Sequence, residues 1–258
     1  MNALVLAAGY ATRLYPLTKN FPKPLLEVGG KSILDWLLDD LDRYHVISRF
    51  AVITNSCFAD HFRRWRDEKQ GDPFRSLSAP MEILDDGTTS NETRLGAVRD
   101  LLWGMESLGW SGETLVLAGD NLLDFSLGIF LDYFRHHSGP AVMRYREPDP
   151  ERTRKCGVLE MGEGDRVLSM EEKPDAPKSD WCVPPFYAYR NLTPEKIRAS
   201  LAEGGGADAP GSLLSWFCRN EPVFALEMPG CRFDVGNLAG YQRIRAEYRG
   251  PVPSDCRE

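Results

Sequence analysis

Val5-Leu6-Ala7-Ala8-Gly9-Tyr10-Ala11-Thr12-Arg13-Leu14-Tyr15-Pro16-Leu17-Thr18-Lys19-Asn20-Phe21-Pro22-Lys23 is an apolar run that breaks at Gly9 into a loop with two spaced cations, Arg13 and Lys23. Between Gly9 and Lys31 the chain carries Arg13, Lys19, Lys23 and Lys31 against Glu27 alone, although its overall formal charge is −7. A buried strand that ends in a small-residue loop exposes backbone N–H groups. Beside two cations these make a concave anion site suited to a polyphosphate. The stretch predicts a first strand over Ala3 to Ala8 and a nucleotide-binding loop after it.

Composition sets the wider frame. A chain of 258 residues with 42% hydrophobic and 27% charged content is ordinary for a globular protein and long enough for one large α/β domain. No apolar stretch approaches the length needed to span a bilayer, and the N-terminal run lacks the basic flank and cleavage site of a signal peptide. A cytoplasmic protein with no membrane partner is expected. The net negative charge and the lack of a basic stripe argue against a nucleic-acid partner. The six cysteines, Cys57, Cys156, Cys182, Cys218, Cys231 and Cys256, form no C-x-x-C pair and are expected as reduced core thiols.

Working outward, short apolar runs alternate with amphipathic segments, the pattern of β-α units on a mostly parallel sheet. Ser32 caps a predicted helix through Leu41, with Asp35 three residues on. A strand over Phe50 to Thr54, a helix over Phe58 to Glu68, a strand over Met81 to Leu84, a helix over Thr93 to Leu108 and a strand over Thr114 to Ala118 complete a Rossmann-like core. The second half is less regular. Strands are predicted at Ala141 to Tyr145, Gly157 to Glu160, Val167 to Met170, Phe186 to Tyr189 and Val223 to Leu226, with helices at Pro194 to Glu203 and Leu213 to Arg219 and a last one ending at Tyr248.

In open α/β sheets ligands bind beyond the carboxyl ends of the strands. Those ends here are Ala7-Ala8-Gly9, Asp85-Asp86-Gly87-Thr88-Thr89 and Gly119-Asp120-Asn121. A hard cation such as Mg²⁺ is held by one or two carboxylates together with substrate phosphate oxygens, and Asp120 and Asp234 are the candidates. Gly29-Gly30-Lys31-Ser32 is not a Walker A loop, because Leu25 stands where its first glycine belongs. The Gly9 loop also fails G-x-G-x-x-G at both later positions, which disfavours a nicotinamide-dependent reductase. His45, His61, His136 and His137 match no metal or triad spacing and are expected on helix surfaces.

Gly9-Tyr10-Ala11-Thr12-Arg13-Leu14-Tyr15-Pro16-Leu17-Thr18 followed by Pro22-Lys23-Pro24-Leu25 resembles the signature of the sugar-1-phosphate nucleotidyltransferases, the glucose-1-phosphate thymidylyl- and uridylyltransferase-like enzymes. The resemblance continues at Val116-Leu117-Ala118-Gly119-Asp120, Gly157-Val158-Leu159-Glu160, Glu171-Glu172-Lys173-Pro174 and Phe233-Asp234-Val235-Gly236. It implies a three-layer α/β/α nucleotide-diphospho-sugar transferase fold with a mixed, mostly parallel sheet; no hexapeptide repeat follows the core, so no C-terminal β-helix is expected. One domain over 1–248 is then expected, with a nucleotide-binding half at 1–125, a sugar-phosphate-binding half at 126–248 and a tail at 249–258.

By position, the resemblance implies that Leu6, Ala7, Ala8, Gly9, Tyr10, Ala11, Thr12 and Arg13, with Thr89, Asn91 and Gly119, bind the nucleotide. Gly9 to Arg13 would wrap the triphosphate, and Arg13 and Lys23 would be the catalytic cations, with Lys23 near the α-phosphate. Asn121, Gly157, Glu172 and Lys173 would serve the sugar phosphate, and Asp120 and Asp234 would hold Mg²⁺. Two departures stand out. Ala11 replaces the usual second glycine, which suits an L-residue if its φ is negative, and Val235 replaces the usual threonine. Gly87 to Ala97 matches only loosely the stretch that contacts base and sugar in relatives.

A sugar 1-phosphate is largely dianionic at neutral pH because its second pKa is about 6, so its oxygen can attack an α-phosphorus without a general base. The function implied is Mg²⁺-dependent transfer of a nucleoside monophosphate from an NTP, UTP or dTTP favoured, by a monomer or homodimer. Two other readings remain open. One is a CTP-dependent enzyme acting on a phosphorylated amino alcohol or polyol such as phosphocholine or inositol phosphate, with Trp181, Phe186, Tyr187 and Tyr189 as a cage for a quaternary ammonium. The other is an inactive ligand-sensing homologue.

Overall fold

The computed structural model describes residues 1–251, so Cys256 and all but the first three residues of the expected tail lie outside the described residues. The chain divides into two compact units, each built from separate segments. The first takes Met1–Arg94, Ala118–Ile129 and the segment from Pro229 onward; the second takes Leu95–Leu117 and Phe130–Met228.

In the first unit, strands Asn2–Leu6, Arg49–Thr54 and Met81–Asp85 pair in parallel, with Val5 beside Val52 and Ile53 beside Leu84. Parallel neighbours need long crossovers, which the helices Ile33–Asp42 and Ala59–Gly71 supply. Leu4, Val5, Phe50, Val52 and Ile53 are fully buried, the near-continuous apolar run of a sheet covered on both faces. Ser32 and Asp35 form the expected capping box, each side chain accepting from the other residue's backbone N–H. Two three-residue strands, Asn121–Leu123 and Arg232–Asp234, pair antiparallel with Asp234 opposite Asn121. Leu122 and Val235 pack beneath them against Leu14, Tyr241, Ile244 and Tyr248, so the helix Leu238–Glu247 and Tyr248 beyond it back this pair of strands.

Burial also fixes a charged cluster between the helices Ile33–Asp42 and Ala59–Gly71. Lys69 is 1% exposed, and its Nζ lies 2.9 Å from Asp35 and 2.6 Å from Asp39. Burial alone pushes the Asp35 carboxyl up, but the Lys69 ammonium and the Ser32 hydrogen bonds outweigh it and hold the group below its ordinary 3.8. A depressed carboxylate contributes stability that is present above its unfolded pKa and lost as pH falls through the lower folded value. Acid unfolding of the native protein should therefore include a loss beginning near pH 4 that flattens in Asp35→Asn. At neutral pH that variant should be less stable by about 3 kcal/mol, because a buried ammonium loses one partner; urea titrations across pH measure both.

In the second unit residues 112–117 of the strand Gly112–Ala118 pair antiparallel with Phe186–Leu192, which pairs antiparallel with Ala141–Arg146. Ala141–Arg146 runs parallel to Val223–Glu227, and Arg166–Glu172 and Gly157–Met161 extend that side antiparallel. The short strand Trp181–Val183 bonds both Gly157–Met161 and Ala141–Arg146. Helix Gly211–Asn220 packs on Arg166–Glu172, and Ala97–Leu108 packs on Pro194–Ala202.

Several expectations need correction. The helix predicted from Thr93 begins at Ala97, because Gly96 has φ +91°, outside helical space, and lies so close to the Ala207 carbonyl that no side chain fits. The first strand ends at Leu6, and Ala7 leaves it with one bond to Ile53. The helix Gly128–His136 and the three-residue strands Asn121–Leu123, Trp181–Val183 and Arg232–Asp234 add to the predicted elements. Of the cysteines expected in the core, only Cys182 is buried among the described residues; Cys57 and Cys231 are exposed. His61 and His136 lie on helices, whereas His45 and His137 sit just past helix ends. No helix among the described residues is long and apolar enough to cross a membrane.

Candidate active site

The first strand delivers the chain into Ala7-Ala8-Gly9, and the amides of Ala8, Gly9, Tyr10 and Ala11 donate no hydrogen bond among the described residues. The loop is held from outside those amides. Asn55 Nδ2 donates to the Ala8 carbonyl at 2.9 Å, and Thr18 Oγ1 donates to the Ala11 carbonyl at 2.8 Å. Successive amides without partners make an anion-binding concavity. Ala11 has φ +46°, so the negative φ that would suit an alanine is not adopted. A left-handed L-residue is strained by about 1 kcal/mol. Ala11→Gly should therefore fold with no loss of stability, while the β-branched Ala11→Val should lose more than about 1 kcal/mol, a contrast that thermal unfolding of both variants resolves.

Lys23 follows Pro22 at the start of a single 3-10 turn, Lys23–Leu25, and is 7% exposed. Its Nζ donates to Asp120 Oδ2 at 2.8 Å and to Asp234 Oδ1 at 3.1 Å. Burial disfavours the ammonium, but the two carboxylates outweigh it and raise the Lys23 pKa above its ordinary 10.5. Asp120 sits just beyond the strand Gly112–Ala118, and Asp234 ends the strand paired with Asn121. Two hard oxygen donors thus already converge on one cation, the arrangement Mg²⁺ accepts when substrate phosphates complete its shell.

A cavity of about 380 Å³ in the first unit gathers these groups. Leu6, Ala7, Gly9, Ala11, Thr12, Arg13, Lys23, Asp120 and Asp234 line it, as do Leu14, Pro24, Ala118, Val235 and Gly236, motif residues to which the resemblance gives no binding role. Arg13 is exposed, with no ion-pair partner among the described residues. Ala8, Tyr10, Thr89, Asn91, Gly119 and Asn121 are not lining residues. Tyr10 instead ties the loop to the Gly87 segment through a 3.2 Å hydrogen bond with Thr88, and Thr89 and Asn91 stand exposed on that segment. Gly119 is a packing glycine: its amide donates to the Leu6 carbonyl at 3.1 Å, and an added Cβ would lie 2.9 Å from Val5. Asn121 is 2% exposed and turned onto Asp120 and Arg232.

Gly157, Glu172 and Lys173 come together in the second unit, where Glu172 is paired with Gly157 across two strands. The Glu172 carboxylate and the Met170 methyl share the space left by two missing side chains: a Cβ at Gly211 would lie 2.2 Å from Glu172 Oε2, and one at Gly157 would lie 2.3 Å from Met170 Cε and 3.0 Å from Glu172 Oε2. Burial raises the Glu172 pKa; Lys173 opposes the rise, and Cys156 and Asp208 add to it. Lys173 has φ +49°, a left-handed conformation uncommon for a long side chain. The proposed aromatic cage is not open. Phe186, Tyr187 and Tyr189 are 0–3% exposed, and Arg146 and Arg144 stand 3.7 and 4.5 Å from the Trp181 ring.

Residues 2–249 match the family model of the nucleotidyl transferases, and the chain belongs to that family. It is 34% identical over 210 residues to a glucose-1-phosphate thymidylyltransferase of Mycolicibacterium smegmatis, covering 77% of this chain and 64% of that protein. The chain spans 63–64% of the length of this relative and of those from Neisseria gonorrhoeae and Neisseria meningitidis. Among solved structures, a UDP-glucose pyrophosphorylase complexed with UDP-glucose superposes with a TM-score of 0.78 at 20% identity, over 96% of this chain and 97% of that one. A UDP-glucose pyrophosphorylase from Acinetobacter baumannii gives 0.73 at 17% identity, over 96% and 92%. These two likenesses establish the α/β fold.

Proposed function

We propose that the chain transfers a nucleoside monophosphate from UTP or dTTP to a sugar 1-phosphate, with Mg²⁺ held by Asp120 and Asp234. The observation that carries this reading is the 380 Å³ cavity, in which a loop with partnerless amides, two cations and two convergent carboxylates meet. A sugar-phosphate oxygen bonds to the α-phosphorus while the bond from that phosphorus to the bridging oxygen of the β-phosphate breaks, and pyrophosphate leaves. The attacking phosphate is already a dianion above about pH 6, so no base is assigned. Loop amides and Arg13 hold the triphosphate oxygens, and Lys23 offsets charge that builds at the α-phosphate. Preorganised charge of this kind is the main source of acceleration in such transfers. When bound, Mg²⁺ supplies further neutralisation of phosphate oxygens.

The pyrimidine donors and glucose 1-phosphate as first acceptor rest on the names of the relatives. The reading also includes a cytoplasmic monomer or homodimer. In it, Glu172 and Lys173 serve the sugar phosphate, which gives an independent check. Gly211→Ala, whose added Cβ would stand 2.2 Å from Glu172 Oε2, should displace the Glu172 carboxylate and raise KM for the acceptor at least about tenfold with KM for the NTP unchanged. Equal effects on both would remove Glu172 from that role. The overall test is pyrophosphate release from a matrix of NTPs against sugar, inositol and amino-alcohol phosphates with Mg²⁺. Turnover only with CTP and phosphocholine, or none at all, would overturn the reading.

A further inference from the structure

The two carboxylates that meet at Lys23 are not held alike. Asp120 has both oxygens engaged: Oδ2 accepts from Lys23 at 2.8 Å and Oδ1 accepts from Asn121 Nδ2 at 2.8 Å. Asn121 is 2% exposed, and its own Oδ1 accepts from Arg232 Nη1 at 2.7 Å. Asp234, with a side chain 53% exposed, has only the 3.1 Å contact to Lys23 on its carboxylate among the described residues.

Resting on the reading above, we infer that Asn121 and Arg232 are positioning residues that set the plane of the Asp120 carboxylate for a divalent cation, while Asp234 adjusts to it. The register explains how. Asp234 lies directly opposite Asn121, and Arg232, two residues back, shares a strand face with Asp234 and lies diagonal to Asn121. Leu122, on the other face, is anchored in the core beneath. One hairpin-like pair of strands thereby fixes both carboxylates and the relay between them.

The chemistry of position 121 is demanding. A buried side chain there must donate to a carboxylate and accept from a guanidinium at once, and an amide does both. Aspartate would keep the bond to Arg232 but set an acceptor against Asp120 Oδ1. Leucine would keep the approximate volume and offer neither bond. Groups behind metal ligands typically change metal affinity by 10–100-fold when removed.

The test is Mn²⁺ binding to the nucleotide-free, full-length protein, followed by electron paramagnetic resonance, with thermal unfolding in chelator to confirm that each variant folds. Wild type should bind, and Asp120→Asn should lose binding. Asn121→Asp, Asn121→Leu and Arg232→Met should weaken binding 10–100-fold, and Arg232→Lys, which can still donate to Asn121, should recover most of it. In turnover assays the same variants should lower kcat with KM for the NTP nearly constant. Should an Asn121 variant fail to fold, the Arg232 pair decides alone. No Mn²⁺ binding either by wild type or by Lys23→Ala, in which no ammonium competes for the two carboxylates, would overturn both the metal assignment and this inference; where only Lys23→Ala binds, the same variants are compared in that background. Wild-type affinity in Arg232→Met and in the folded Asn121 variants would overturn this inference and leave the metal assignment standing.

Discussion

Lys23→Ala is expected to lower kcat by about two to three orders of magnitude, the range seen when one preorganised donor to a developing charge is removed. The side chain is almost wholly buried, so its charge acts in a medium that screens weakly, and it meets both carboxylates of the site. The same geometry gives a second, opposite sign. In the nucleotide-free protein the ammonium occupies the place between Asp120 and Asp234, so a divalent cation must compete with it. Lys23→Ala should therefore bind Mn²⁺ more tightly than wild type while turning over far more slowly. A variant with unchanged turnover would take Lys23 out of the mechanism. The pH dependence follows the same logic. Because the folded pKa of Lys23 is raised, its favourable charge is fully present below the ordinary 10.5 and is lost only as pH rises through a higher value. Rate should climb as the acceptor phosphate ionises near about pH 6 and then stay level through pH 10.

Asp120→Asn and Asp234→Asn should each raise the Mg²⁺ concentration for half-maximal rate by more than about tenfold, since each removes one of the two carboxylates that the protein brings to the metal. Their sizes should differ. Asp120 is fixed through both oxygens and Asp234 through one, so loss of Asp120 removes the oriented ligand and should be the more severe. Activity titrated against Mg²⁺ for both variants measures this, and wild-type curves in both would refute the ligand assignment.

Local chemistry made much of this legible in the sequence. Ser32 with Asp35 three residues on marked a helix start, and the apolar runs around Val5, Val52 and Leu84 marked a parallel trio. Arg13, Lys23, Asp120 and Asp234, far apart in the chain, do line one cavity. What escaped depended on backbone sign and on short elements. Nothing in an alanine announces φ +46° at Ala11, and the apolar spacing after Thr93 carried no sign that Gly96 would turn out of the helix at φ +91°. Strands of three residues, such as Asn121–Leu123 and Arg232–Asp234, are too short to show alternation. Yet the spacing of Arg232 two residues before Asp234 was a usable signal, because it puts both on one face of any strand.

Phosphate and divalent cation should meet in the first unit's cavity. A crystal structure with UTP and Mg²⁺ tests it most directly. The triphosphate should lie against the amides of Ala8 to Ala11, with Arg13 turned onto its oxygens and the metal between Asp120 and Asp234, Lys23 being displaced toward the α-phosphate. Phosphates bound elsewhere, with Lys23 still bridging the two carboxylates, would contradict it.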